Sequence, residues 1–134
     1  MISEMSVESP SPPDDHDPPV TAEELLRRYA AGERSFPETD LMECSFEGAV
    51  LEGAIFIHSW LCAINFRRAN LRGVRFENCM LKCSDFSGAD LQDASFAQSN
   101  IGLACYEGAN LVGANFADAV SFQRVYREGD IPAS

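Results

Sequence analysis

Large apolar residues recur at every fifth position of the chain. The series runs Leu41, Phe46, Leu51, Phe56, Leu61, Phe66, Leu71, Phe76, Leu81, Phe86, Leu91, Phe96, Ile101, Tyr106, Leu111 and Phe116, with Phe36 one step upstream. A helix turns one face inward every ~3.6 residues and a strand every ~2, so a beat of five belongs to neither. With each large residue as position i, position i−2 is mostly small: Ala49, Ala54, Ala69, Ala89, Ala94, Ala104, Ala109 and Ala114, with Ser59, Ser84, Ser99, Cys44 and Cys79. Positions i−2 and i therefore face inward with i−1 outward between them, which is a short extended piece. Six of the nine glycines (Gly48, Gly53, Gly73, Gly88, Gly108, Gly113) fall at i+2, where a tight corner needs backbone freedom. Each pentad predicts an extended segment plus a corner. A tandem run of such units must coil and stack, so the fold class is an all-β solenoid.

Leucine and phenylalanine alternate along the beat. In a four-sided coil each side recurs every twenty residues, and one side then holds Leu41, Leu61, Leu81 and Ile101, the next Phe46, Phe66, Phe86 and Tyr106. The alternation alone also suits a two-sided coil. The segments Ala69-Asn70-Leu71-Arg72-Gly73, Ala89-Asp90-Leu91-Gln92-Asp93 and Ala109-Asn110-Leu111-Val112-Gly113 resemble the A(D/N)LXX motif of the pentapeptide repeat family. That resemblance spans residues 36–120. It implies a right-handed quadrilateral parallel β-helix of about four coils, roughly 20 Å tall at a strand spacing of about 4.8 Å. It also implies a bacterial protein, but the family is functionally mixed and its fold names no activity.

The ends differ from the middle. Residues 1–20 hold five of the seven prolines and five acids with no base, the composition of a disordered tail. Over residues 21–35, Thr21-Ala22-Glu23-Glu24 reads as a capping box, and Leu25, Leu26, Tyr29 and Ala30 follow at helical spacing before Gly32. A helix over 22–31 is expected to cover the open first coil. Residues 121–134 leave the beat, with Phe122, Val125 and Tyr126 off-phase, and read as a C-terminal cap and tail.

The net charge is −11, from 21 acidic and 10 basic residues. Such a chain should be soluble and should avoid direct contact with nucleic acid or anionic membranes. Cys44, Cys62, Cys79, Cys83 and Cys105 are odd in number, and the N-terminus lacks the basic start and apolar run of an export signal. Both features point to reduced thiols in a cytoplasm. Catalysis has little to stand on. The two histidines, His16 and His58, make no metal-binding pair, and neither a nucleophile–base spacing nor a glycine-rich phosphate loop is present. The expectation is a protein that is not an enzyme and uses no cofactor.

Function then belongs to outward positions. Stacking by twenty sets Glu47 beneath Arg67 and Glu52 beneath Arg72, predicting ion pairs between coils. Coil two carries a basic group, Arg67, Arg68, Arg72 and Arg75. One outward feature is apolar: Ile55, Ile57, Trp60, Cys62 and Met80 converge on the edge between two sides, with His58 at the corner. An outward tryptophan beside outward isoleucines is typical of an interaction patch. Together with the arginines it forms the candidate interface for a protein partner, or for a homodimer; the C-terminal end is the other candidate dimer surface. The alternative function is an acidic mimic of DNA, because family members linked to fluoroquinolone resistance resemble duplex DNA in shape and charge and bind DNA gyrase.

Overall fold

The computed structural model describes residues 18–121, 124–127 and 129–132; the expected tail over residues 1–20 lies outside them except for its last three residues, and Phe122 lies outside them too. The first element is helix α1, Ala22–Ala30. The Thr21 hydroxyl accepts from the Glu24 N–H at 3.0 Å, and Glu24 reaches back to the Val20 N–H at 3.1 Å, so two of the free amides at the helix start are bonded. At the other end, Gly32 adopts φ +108, a conformation that ends the helix without a Cβ penalty. Leu25 is fully buried with the core, and the Tyr29 hydroxyl donates to the Glu52 carbonyl at 2.7 Å. One face of α1 is thereby pinned to the first pentads.

The pentads form short strands β1 (Asp40–Met42), β2 (Ile55–Ile57), β3 (Trp60–Cys62) and β4 (Arg75–Glu77). β1 pairs with β3 and β2 with β4, both parallel and both with a register of twenty residues. The same register continues through single bridges: Ser35 to Ile55, Arg75, Ser95 and Asn115 on one side; Ser45 to Asn65, Asp85 and Cys105 on another; Val50 to Asn70, Asp90 and Asn110 on a third. The fourth side carries Asp40, Trp60, Met80, Asn100 and Val120. A register of twenty at five residues per side selects four sides. The ten-residue register of a two-sided coil does not occur among the described residues.

The inward residues fill the coil completely. Every phenylalanine at an in-frame position is at most 2 % exposed. Rings stack along the axis, Phe46 on Phe66 at 5.5 Å, Phe66 on Phe86 at 5.1 Å and Phe86 on Tyr106 at 5.3 Å between centroids. The two phenylalanine columns meet edge to face, as Phe86 does Phe96 at 90°. Both are favoured aromatic geometries. Burying each ring is worth about 1.5 to 3 kcal/mol.

The small inward residues turn out to have a second duty. Most corners close on themselves: the Ala49 N–H donates to the Phe46 carbonyl at 2.9 Å, and Ala69 and Ala89 repeat the bond to Phe66 and Phe86. Where the residue one coil above a corner is serine, the corner opens and the hydroxyl bridges it. Ser84 accepts from the Ile64 N–H at 3.1 Å and donates to the Leu61 carbonyl at 3.0 Å. Ser99 does the same for Cys79 and Phe76 at 2.9 and 2.6 Å, and Ser59 for Thr39 and Phe36 at 3.0 and 3.3 Å. Cys79 occupies the equivalent slot, its thiol donating to the Phe56 carbonyl at 2.9 Å. Burial pushes that thiol up to about 11. Each of these residues is buried, so the bonds satisfy backbone groups that water cannot reach.

Beyond Phe116 the chain turns back on itself. Strands β5 (Val120–Ser121) and β6 (Arg124–Val125) pair antiparallel, and Tyr126 then tucks in, 6 % exposed, with its ring 6.1 Å from that of Phe116. Val125, in contrast, is 59 % exposed.

Candidate functional site

Trp60 stands at i−1 on the side that carries Leu61, and parallel pairing places Met80 and Asn100 directly above it. The preceding corner is built from His58, Asn78 and Gln98, also twenty apart, with φ of +55, +56 and +63. The two rows enclose a groove of about 360 Å³ lined by His58, Ser59, Trp60, Asn78, Cys79, Met80, Gln98 and Asn100. Trp60 is 48 % exposed, while Met80 and Asn100 are half-buried. Asn100 uses its side-chain oxygen to accept from the Gly102 N–H at 3.0 Å, which holds it in place. The lining holds no carboxylate, lysine or arginine, in a protein whose surface is otherwise strongly charged.

Not every candidate residue meets in this groove. Ile55 and Ile57 flank Phe56 on the neighbouring side and are half-buried, their register partners being Arg75 and Glu77. Cys62 lies past Leu61, half-buried between Met42 below and Lys82 above, away from the groove. Burial raises its thiol. Met42 is 54 % exposed and was not among the candidates, although its i+1 position marks it as outward. The amides of Asn78, Gln98 and Asn100 were also missed, because polar residues at corners look ordinary; the signal was their twenty-residue spacing beside the one tryptophan.

The arginines are spread over three sides of coil two, and their pairing corrects the expected ladder. Arg67 binds Asp85 at 3.1 Å and Arg72 binds Asp90 at 3.2 Å, each on the coil above. Glu47 instead takes Arg68, and also accepts from the Asn65 amide at 3.3 Å. Glu52 accepts from Asn70 at 3.3 Å. The physical reason is a lean: side chains at i+1 meet the i−1 residue of the next coil, eighteen residues on, rather than the residue straight above. Arg75 binds Glu77 on its own strand at 2.9 Å and holds that carboxyl below its usual range. Burial would raise Asp85, but the Ser87 hydroxyl and N–H together with Arg67 outweigh it and hold the carboxyl low.

A second concavity, of about 500 Å³, lies at the C-terminal end among Tyr106, Gly108, Ala109, Leu111, Val112, Ile131 and Pro132. The Tyr106 hydroxyl is buried there without a hydrogen-bond partner, and burial raises its pKa. Among the described residues, no group of three or more histidine, cysteine or carboxylate side chains could hold a metal ion, and no helix is long and apolar enough to cross a membrane.

No curated protein matches the chain. Among solved structures, a pentapeptide repeat protein from Nostoc Pcc 7120 is 29 % identical, over 87 % of this chain and 92 % of that one, with a TM-score of 0.46. The plasmid-mediated fluoroquinolone resistance protein QnrB1 is 23 % identical over 61 % of this chain and 39 % of its own, at a TM-score of 0.40. A pentapeptide repeat protein from the Arabidopsis thaliana thylakoid lumen is 22 % identical over 65 % of this chain and 64 % of its own, at 0.33. The model of the pentapeptide repeat region matches residues 33–105, more than half of the 134. On that match, and on a five-residue beat that packs at a register of twenty, the chain belongs to the pentapeptide repeat family.

Proposed function

We propose that this protein is a cytoplasmic, non-catalytic docking module: a right-handed quadrilateral β-helix of four coils, covered at its start by α1, that presents its outer faces to a protein partner. The observation that carries the reading is Trp60, 48 % exposed at the edge of a groove shared with His58 and Met80. A half-exposed tryptophan in a concave setting without carboxylates, lysine or arginine has the character of an interface anchor. The interior is occupied by stacked phenylalanine and leucine columns, which supports a role for the outer surface. Ile55 and Ile57 on the adjoining side and Cys62 beyond Leu61 lie off the groove and add half-buried apolar surface to the proposed interface. Arg67, Arg68, Arg72 and Arg75 are each engaged by a carboxylate, so they contribute to orientation more than to binding energy. Homodimerisation through the Trp60 face or the C-terminal end is the self-partnered form of the same reading.

A pull-down from the native host with wild type and Trp60→Ala in parallel tests it. The variant should keep its fold, since half the indole is already in water, and should lose its captured partner or its dimer on a sizing column. Unchanged capture with an unchanged sizing profile would sink the reading.

One observation favours a second reading, an acidic mimic of DNA that binds gyrase: the four arginines of coil two are paired with carboxylates and leave a net charge of −11 little interrupted. Mimicry requires inhibition of gyrase supercoiling that fades steeply with salt and survives Trp60→Ala. Docking through Trp60 requires the reverse on both counts.

A further inference from the structure

The corner that follows Leu61 and Leu81 brings two cysteines together across adjacent coils. Cys62 continues the parallel register above Met42, and the Ala63 N–H donates to the Lys82 carbonyl at 2.9 Å, so Cys62 lies against Lys82 and one residue from Cys83. Lys82 and Cys83 both act electrostatically on the Cys62 thiol, in keeping with its place beside that stretch of the next coil. An inter-strand step of ~4.8 Å and a chain step of ~3.8 Å at right angles give a Cα separation of about 6 Å. That lies inside the range a disulfide spans, about 4.4 to 6.8 Å. Cys83 is exposed and Cys62 half-buried, whereas Cys79 is closed in the core.

We propose that Cys62 and Cys83 form an oxidisable thiol pair, converted by a peroxide into a disulfide that staples coil two to coil three. The balance is simple. The Cys83 thiolate attacks one oxygen of hydrogen peroxide and the O–O bond breaks, leaving a sulfenic acid and a hydroxide that takes up a proton as water. The Cys62 sulfur then attacks the sulfenic sulfur, the S–S bond forms, and the second oxygen leaves as water with the remaining proton. Two thiols lose two electrons in all, and the peroxide gains them. Exposure sets the order: Cys83 meets the oxidant first, and the half-buried Cys62 beside it resolves the sulfenic acid as its thiolate, its proton leaving with the second oxygen as water. Neither cysteine lines the Trp60 groove, so the pair can be oxidised without entering it, although Cys62 belongs to the wider surface proposed for docking.

The test uses the full chain, purified reduced, exposed to a few equivalents of hydrogen peroxide and then to an alkylating agent. The expected product has lost two hydrogens by intact mass and yields one peptide joining Cys62 to Cys83. Cys44 and Cys105 remain free to alkylate, and the thermal midpoint rises, returning to its starting value on reduction. With Cys62→Ser the Cys83 sulfur has no resolving partner and gains two or three oxygens instead; with Cys83→Ser the cross-link is absent and Cys62 stays a thiol. A cross-link to any other cysteine, an intermolecular dimer, or sulfinic acid at Cys83 in the wild type would overturn the proposal.

Discussion

Ser84→Ala removes a hydroxyl that two buried backbone groups depend on. In the native structure the Ile64 N–H and the Leu61 carbonyl do not bond each other; both bond Ser84 Oγ, at 3.1 and 3.0 Å. Ser84 is 1 % exposed and Ile64 equally so, and water therefore has no route to replace the hydroxyl. Leaving one such group unsatisfied costs about 1 to 3 kcal/mol. Two of them, less the relief that a small corner movement allows, come to roughly 2 to 4 kcal/mol. For a domain of this length about 1 kcal/mol moves the thermal midpoint by ~3 to 5 °C, so the expected drop is on the order of 10 °C. The assay is chemical denaturation followed by far-ultraviolet circular dichroism, with amide hydrogen exchange at Ile64 as the local probe. The exchange protection of Ile64 should fall more than that of Ala49, whose corner closes on Phe46 without help at 2.9 Å. Ala89→Ser is the reciprocal control. It adds a hydroxyl above the Phe66–Ala69 corner, which is already closed at 3.1 Å, and should destabilise by about 1 kcal/mol, because a buried hydroxyl arrives with its partners engaged. A loss below about 0.5 kcal/mol for Ser84→Ala, with Ile64 still protected, would mean that the corner closes by itself and that serine is only a filler.

Two further outcomes follow from corners and carboxylates. Gly113 holds φ +75, and an added Cβ would lie 2.2 Å from Asp93 Oδ1, whereas Gly48 at φ +69 has nothing within 4 Å. Gly48→Ala should therefore cost the left-handed penalty alone, about 1 kcal/mol, and Gly113→Ala more, with Asp93→Ala restoring the difference in a double mutant measured by denaturation. Asp85 is held below its ordinary value by Ser87 and Arg67, so its ionised form favours the fold. That contribution is complete above the unfolded carboxylate value near 4 and is lost as pH falls through the lower folded value. The pair is partly exposed, which limits the effect to a few tenths of a kcal/mol. The stability gap between wild type and Asp85→Asn should be visible at pH 6 and should close below about pH 3; a gap that persists in acid would refute the ionic origin.

The inward half of this structure is legible residue by residue, and the outward half is not, for a physical reason. Phe66 must be buried wherever the coil closes, so its position in the beat suffices. Ser84 also sits at an inward slot, but its duty depends on whether the Leu61–Ile64 corner is open, and that depends on a contact twenty residues away. The useful signal is serine or cysteine one coil above a corner, as at Ser59, Cys79 and Ser99. The ion pairs show the same limit. Stacking by twenty is right for the backbone and wrong for Glu47 and Arg67: Arg67 leans to Asp85, eighteen residues on, while Glu47 takes Asn65, eighteen on, and Arg68, twenty-one on. The frame does place Trp60 outward and Ile55 and Ile57 beside Phe56 on the adjoining side, yet it cannot show that the groove closes on His58, Asn78 and Gln98 instead of the isoleucines.

Register also determines where recognition can be written. A twenty-residue coil copies every position into a row parallel to the axis, so each of the four corners becomes a row. Two of them are mostly glycine, Gly48 with Gly88 and Gly108, and Gly53 with Gly73 and Gly113, broken by Arg68 and Asp93. A third passes through Glu43, Ala63, Cys83 and Leu103 without a common chemistry. Only the corner of Glu38, His58, Asn78, Gln98 and Asp118 presents hydrogen-bonding side chains at every level, and the row beside it carries Trp60, Met80 and Asn100. Glycine corners can offer a partner backbone and shape; this one offers donors, acceptors and an aromatic face at a constant spacing of about 4.8 Å. The core columns are hidden, so whatever distinguishes this solenoid to a partner has to be carried by outward rows such as this edge.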